Sequence, residues 1–113
     1  MKMMKKAAEM RWGEIPDCHG GNGIIKCQPL LEGIDSENFS LMHYDEIKAG
    51  VRIGEHTHET DEEIYFLLTG TGILICDGVE YPFSSGEISL CRRGHSHGFY
   101  ATEDCVMIVV GSK

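Results

Sequence analysis

The feature that most constrains this chain is its punctuation. From residue 24 onward, apolar runs (residues 24–31, 39–44, 51–58, 63–68, 72–76, 79–83, 87–91, 97–101 and 105–110) are cut by Gly, Asp, Pro and Ser. The breaks fall at roughly 8–12-residue intervals, and no run carries an extended 3.6-residue period. Helix bundles and parallel α/β sheets need amphipathic stretches of about 10–15 residues, which this pattern does not supply. Short strands with regular turn signals predict an all-β sandwich or barrel. Asp77-Gly78 is the strongest hairpin signal, because a type I′ turn needs positive φ at both central positions. Fourteen glycines agree with many tight turns.

At 113 residues, 42% of them apolar, the chain can bury a real core as one domain. It reads as an N-terminal segment and loop over residues 1–23 followed by a β-barrel over residues 24–113. Residues 1–9, rich in Met, Lys and Ala, form a short helix ended by Trp12, Gly13 and Pro16 or stay irregular. Residues 17–23 (D-C-H-G-G-N-G) form a turn-rich loop with no strand. Its glycines do not make a phosphate loop, since the G-K-[ST] ending is missing.

Eighteen acidic against ten basic residues give a net charge of −8, which disfavours nucleic acid and anionic lipid as partners. No run reaches the ~18–20 apolar residues of a membrane span, and the lysines at 2, 5 and 6 precede no signal-peptide core. A cytoplasmic location is the expectation. The five cysteines are scattered without a C-x-x-C pair, which points to reduced packing residues rather than a disulfide scaffold or a structural zinc site.

Four of the six histidines form two H-x-H pairs, His56-Thr57-His58 and His95-Ser96-His97. In a strand, residues i and i+2 share a face, so His56 and His58 can converge on one ion. Glu63 opens the next run as an oxygen ligand. Glu62 is the alternative, but Glu63 is the one that also sends Tyr65 and Leu67 inward. A neighbouring strand can bring His97 to the same point. Three imidazoles and a carboxylate suit Fe, Mn, Ni, Zn or Cu.

Motif by motif, the chain resembles the small single-domain cupins. The first cupin motif is matched by Gly50, His56, His58, Glu63 and Gly70 with every spacing kept. The second is matched by Gly86, Gly94 and His97, with Arg92 and Ala101 where the family has Pro and Asn. The resemblance implies a double-stranded β-helix, or jelly roll, often a homodimer, with one divalent metal held by His56, His58, Glu63 and His97. It does not fix a reaction, because the scaffold hosts many.

Several other residues have more than one reading. His95 shares strand parity with His97 and is either a further ligand, an acid–base group beside the metal or a surface residue. Arg52 faces the barrel interior as a carboxylate clamp if residues 51–58 form one regular strand, and lies on the rim if the strand kinks at Gly54. Tyr65 donates a hydrogen bond to substrate or fills the barrel. Phe66 and Phe99 are core residues, and His19 and His43 are structural. Cys91 is a packing residue unless Arg92 and Arg93 lower its pKa. The resulting expectation is a metal-dependent oxygenase, isomerase or lyase acting on a hydroxy- or keto-acid, enol or sugar. The competing class is a non-catalytic module that binds or senses a small ligand or metal. A hydrolase finds no support, as the chain has no G-x-S-x-G elbow.

Overall fold

A computed structural model describes residues 1 and 3–113. Ten strands form two antiparallel sheets. They are β1 (Gly13–Pro16), β2 (Ile24–Glu32), β3 (Phe39–Ile47), β4 (Arg52–Thr57), β5 (Glu63–Thr69), β6 (Thr71–Cys76), β7 (Val79–Ser84), β8 (Ile88–Cys91), β9 (Ser96–Ala101) and β10 (Cys105–Ser112). One sheet runs β1-β2-β3-β10-β5-β8 and the other β4-β9-β6-β7. This is the jelly roll expected, and each of the nine apolar runs has become a strand. Asp77 and Gly78 close the β6–β7 hairpin with φ of 49° and 78°, the turn that an Asp-Gly pair favours.

The chain's start takes the irregular form rather than the helical one, and it adds a strand. In place of a helix over residues 1–9 there is a single 3-10 turn at Ala7–Glu9, and Lys2 lies outside the described residues. Residues 13–16 then add β1, a strand the sequence does not announce. It is short, carries Pro16 and pairs only with residues 24–27 of β2. A proline is tolerated at such an edge. Pro29 in β2 lies beyond the reach of β1, at the register shift between Pro29 and Leu31. The segment is tied down by Lys5, whose ammonium meets the Asp35 carboxylate at 2.6 Å, and by Gln28, which donates to the Met10 carbonyl. Among the described residues no helix is long and apolar enough to cross a membrane.

Strict alternation builds the core. β5 sends Glu63, Tyr65 and Leu67 inward, and β10 sends Cys105, Met107 and Val109 to meet them. Phe99 fills the space from the opposite sheet, packed edge-on against Phe83. Phe66, expected in the core, is half-buried on the outer face, because its pleat position is opposite to that of Tyr65. All five cysteines are free thiols. Burial raises the Cys91 thiol to about 11, so the adjacent arginines do not activate it.

Candidate metal centre

β4 and β9 are antiparallel neighbours, and His56 stands directly opposite His97. Backbone bonds continue past the strand ends, with the His58 N–H donating to the His95 carbonyl and the Gly94 N–H to the His58 carbonyl. Gly94 takes φ of 88°, so the turn before His97 closes with Arg92 in the position usually held by Pro. β5 brings Glu63 up from the other sheet. Four donors converge as a result. His97 Nε2 lies 2.9 Å and His58 Nε2 3.3 Å from Glu63 Oε1, His56 Nε2 lies 3.7 Å from it, and the Nε2 atoms of His58 and His97 are 3.1 Å apart.

The chemistry of these atoms fits a divalent ion. His56 Nδ1 donates to the Gly54 carbonyl at 2.8 Å and His58 Nδ1 to the Asp61 carboxylate at 3.0 Å. Each ring therefore turns its Nε2 lone pair toward the others, the tautomer that such outer contacts fix in metal sites. His56 Nε2 is buried without a hydrogen-bond partner, an orphan that a cation would satisfy. His97 is 1% exposed and lies flat on Tyr65, with centroids 4.2 Å apart. Burial works to raise the Glu63 carboxyl, but in the metal-free protein His56, His97 and His58 outweigh it when they are protonated and hold Glu63 at about 2. A permanently ionised Glu63 suits a metal ligand. Glu62, the alternative, is exposed.

Three further sequence expectations are tested by position. Arg52 points outward, its guanidinium 4.8 Å above the Tyr100 ring, and is no inward clamp. Between the pairs Ile53–Phe99 and His56–His97, two residues of β4 oppose one of β9. This bulge reverses the side-chain parity, so that Ile53 rather than Arg52 shares a face with His56. Gly54 is required there, since a Cβ would run into the His19 carbonyl oxygen. His95 is likewise outside the centre. It ends a turn in which its N–H bonds the Arg92 carbonyl, and its ring pairs with Asp77 at 2.6 Å. Tyr65 is inward as expected and lines a cavity of about 290 Å³.

That cavity runs from Glu63 between apolar walls of Ile15, Ile25, Leu41, Ile53 and Val109, with Cys18, His19, His43 and Asp45 also lining it. His19, His43 and Asp45 are the residues sequence reasoning missed. His19 sits at the rim with its ring stacked 3.6 Å from that of His56, and it takes a left-handed φ of 51°, a conformation unusual for a residue with a side chain. Burial, then the nearby His56, lowers its pKa. The turn-rich C-H-G-G stretch was its only sequence signal. Burial also raises the Asp45 carboxyl, against the opposing pull of a Cys27 hydrogen bond and His43.

Comparison with known proteins agrees with this geometry. Residues 43–111 match the cupin domain family. An oxalate-binding protein of Thermotoga maritima is 28% identical over 101 residues, covering 88% of this chain and 84% of its own. A crystal structure of a predicted oxalate decarboxylase from Thermotoga maritima superimposes with a TM-score of 0.89 at 26% identity, covering 97% of this chain and 98% of that one. An RmlC-like cupin from Shewanella frigidimarina shares the fold, with a TM-score of 0.80 at 14% identity over 99% of this chain and 91% of its own.

Proposed function

Because the chain belongs to the cupin family, we propose that it holds one divalent transition metal through His56, His58, Glu63 and His97 and takes a small oxygen-rich molecule beside it. The ligand class is a hydroxy- or keto-acid, an enol or a sugar, and the activity is that of a metal-dependent oxygenase, isomerase or lyase. The convergence of four donors, two of them tied back through Nδ1, carries this reading. Three neutral imidazoles and one carboxylate leave a divalent ion with net charge of about +1, able to polarise ligand oxygens or, if redox-active, to exchange electrons.

The chain's own residues supply the remaining chemistry. The apolar walls exclude water from a bound molecule, which strengthens every polar contact inside. Burial raises the Tyr65 phenol well above its usual range, so Tyr65 acts as a hydrogen-bond donor and not as a base. His19 takes the acid–base position that His95 vacates, since it lines the cavity and carries a neutral imidazole. The second reading, a binding module without turnover, is favoured by the relative named as an oxalate-binding protein.

Elemental analysis of protein expressed without added metal tests the centre, with His58→Ala as the control. Near-stoichiometric metal lost in the variant supports it, and a wild type that carries none and binds none on titration overturns it. Calorimetry of metal-loaded protein with oxalate and glycolate, followed by product analysis, then separates the classes. Heat with chemical change means an enzyme, and heat with the ligand unaltered means a binding module.

A homodimer is proposed as well. The open edge strand β8 exposes Ile88 and Leu90, which lie opposite Phe66 and Ile64 of β5. Trp12 from the N-terminal segment packs edge-on against Tyr44 of β3 in the same sheet. An apolar strip along an unpaired edge is a surface that a second copy would cover. Sedimentation should give a mass of two chains, reduced to one by Ile88→Glu.

A further inference from the structure

We propose that Cys27, His43 and Asp45 form a second cation site, separate from the four-donor centre, for a borderline-soft divalent ion of the zinc or cobalt class. β2 and β3 pair antiparallel with Cys27 directly opposite Asp45. His43, two residues earlier on β3, shares the face of Asp45. The three side chains thereby meet on the inner side of the six-stranded sheet. Their donor atoms lie within 4.8 Å of one another. Donors around a tetrahedral zinc are roughly 3.3–3.8 Å apart, a difference that side-chain torsions can close.

Asp45 supplies the independent observation. It is 4% exposed, and its Oδ1 is buried with no hydrogen-bond partner. The Cys27 hydrogen bond engages the Asp45 carboxyl but leaves Oδ1 without a partner, and buried carboxylate oxygens are otherwise paired. A divalent cation bound by one thiolate, one carboxylate and one neutral imidazole makes a net-neutral set, the condition a low-dielectric interior favours. The thiolate selects a zinc-like ion over magnesium or calcium. His43 and Asp45 line the same cavity as Glu63, so the fourth position of this site opens to whatever the cavity holds.

Cobalt(II) is the probe, titrated without oxygen into the chelator-stripped full chain. Two equivalents should bind, and one should bring a near-ultraviolet thiolate-to-cobalt charge-transfer band, because the four-donor centre contains no sulfur. Cys27→Ser should remove the band and one equivalent, and Asp45→Asn should weaken that equivalent at least tenfold. Cys18→Ser, which changes the thiol that lines the cavity, should leave the band intact. His58→Ala should lose the other equivalent and keep the band, so failure of the four-donor centre and failure of this site are read separately. Absence of a sulfur band in the wild type, or a band that survives Cys27→Ser, overturns the proposal. Should Cys27→Ser fail to fold, an unchanged cobalt affinity in Asp45→Asn overturns it.

Discussion

The same tripeptide pattern occurs twice in this chain, and the two copies fold to different ends. In His56-Thr57-His58 both rings enter the four-donor cluster with Glu63, whereas in His95-Ser96-His97 only the second does. The backbones of the two copies run side by side, with His56 opposite His97 and Thr57 opposite Ser96. The His58 N–H still reaches the His95 carbonyl, but the His58 carbonyl takes the Gly94 N–H, whereas a regular pairing would turn His95 inward. Two local forces prevent it. The Arg92–His95 turn ends the extended backbone before β9 begins, and the Asp77 carboxylate takes both the Ser96 N–H and the His95 ring. Spacing of i and i+2 gives a shared face only where the strand continues through both residues.

The largest effect should come from cutting the inward half of the second pair. His97→Ala removes a proposed ligand and the ring on which Tyr65 is stacked. Bound metal should fall to background by elemental analysis, with about 1–3 kcal/mol of stability lost in urea unfolding. Retained metal would mean that the two copies do not meet at one ion. Next is Glu63→Gln, read in chelator-treated protein. The Glu63 carboxyl is held at about 2 against an ordinary 4.5. Its ionised form therefore stabilises the fold fully above pH 4.5, and that stabilisation is lost as pH falls from 4.5 toward 2. Glu63→Gln should flatten stability across this window, by roughly 1–3 kcal/mol. An acid profile like that of the wild type would show that the imidazoles do not lean on this carboxylate. Asp61→Asn should do less. It weakens the acceptor that orients His58 and should cost roughly 10–100-fold in metal affinity, measured by competition with a chelator.

Legibility in the sequence follows the same division. The other nine strands, β2 to β10, could be read because the runs alternate and their breaks use residues with fixed turn preferences. The parity of β5 correctly sent Glu63, Tyr65 and Leu67 inward, as it is an uninterrupted strand. Parity failed at Arg52, where a bulge inserts a residue, and Gly54 was the only mark of it. It failed again at His95, where an acceptor 18 residues earlier in the chain decides the side-chain direction. β1 was missed because four residues with a proline carry no periodic signal. His19, His43 and Asp45 were missed for a further reason. His19 reaches the centre through a left-handed backbone held against Gly54. The pairing of Cys27 with Asp45 depends on strand register, which local sequence does not encode.

The smallest effect belongs to His95→Ala, and it tests the comparison most directly. The His95 and Asp77 side chains are 56% and 55% exposed, so their pair is worth at most about 1 kcal/mol. In the variant Asp77 still accepts the Ser96 N–H, and the β6–β7 turn keeps its conformation. Metal content should match the wild type, and the melting temperature should move by less than about 4 °C. A fall in metal content would mean that His95 swings inward when an ion binds, so that strand parity had identified a fifth ligand that Asp77 holds aside. In that case Asp77→Asn, which weakens the outward tether, should tighten metal binding, whereas a surface His95 leaves it unchanged.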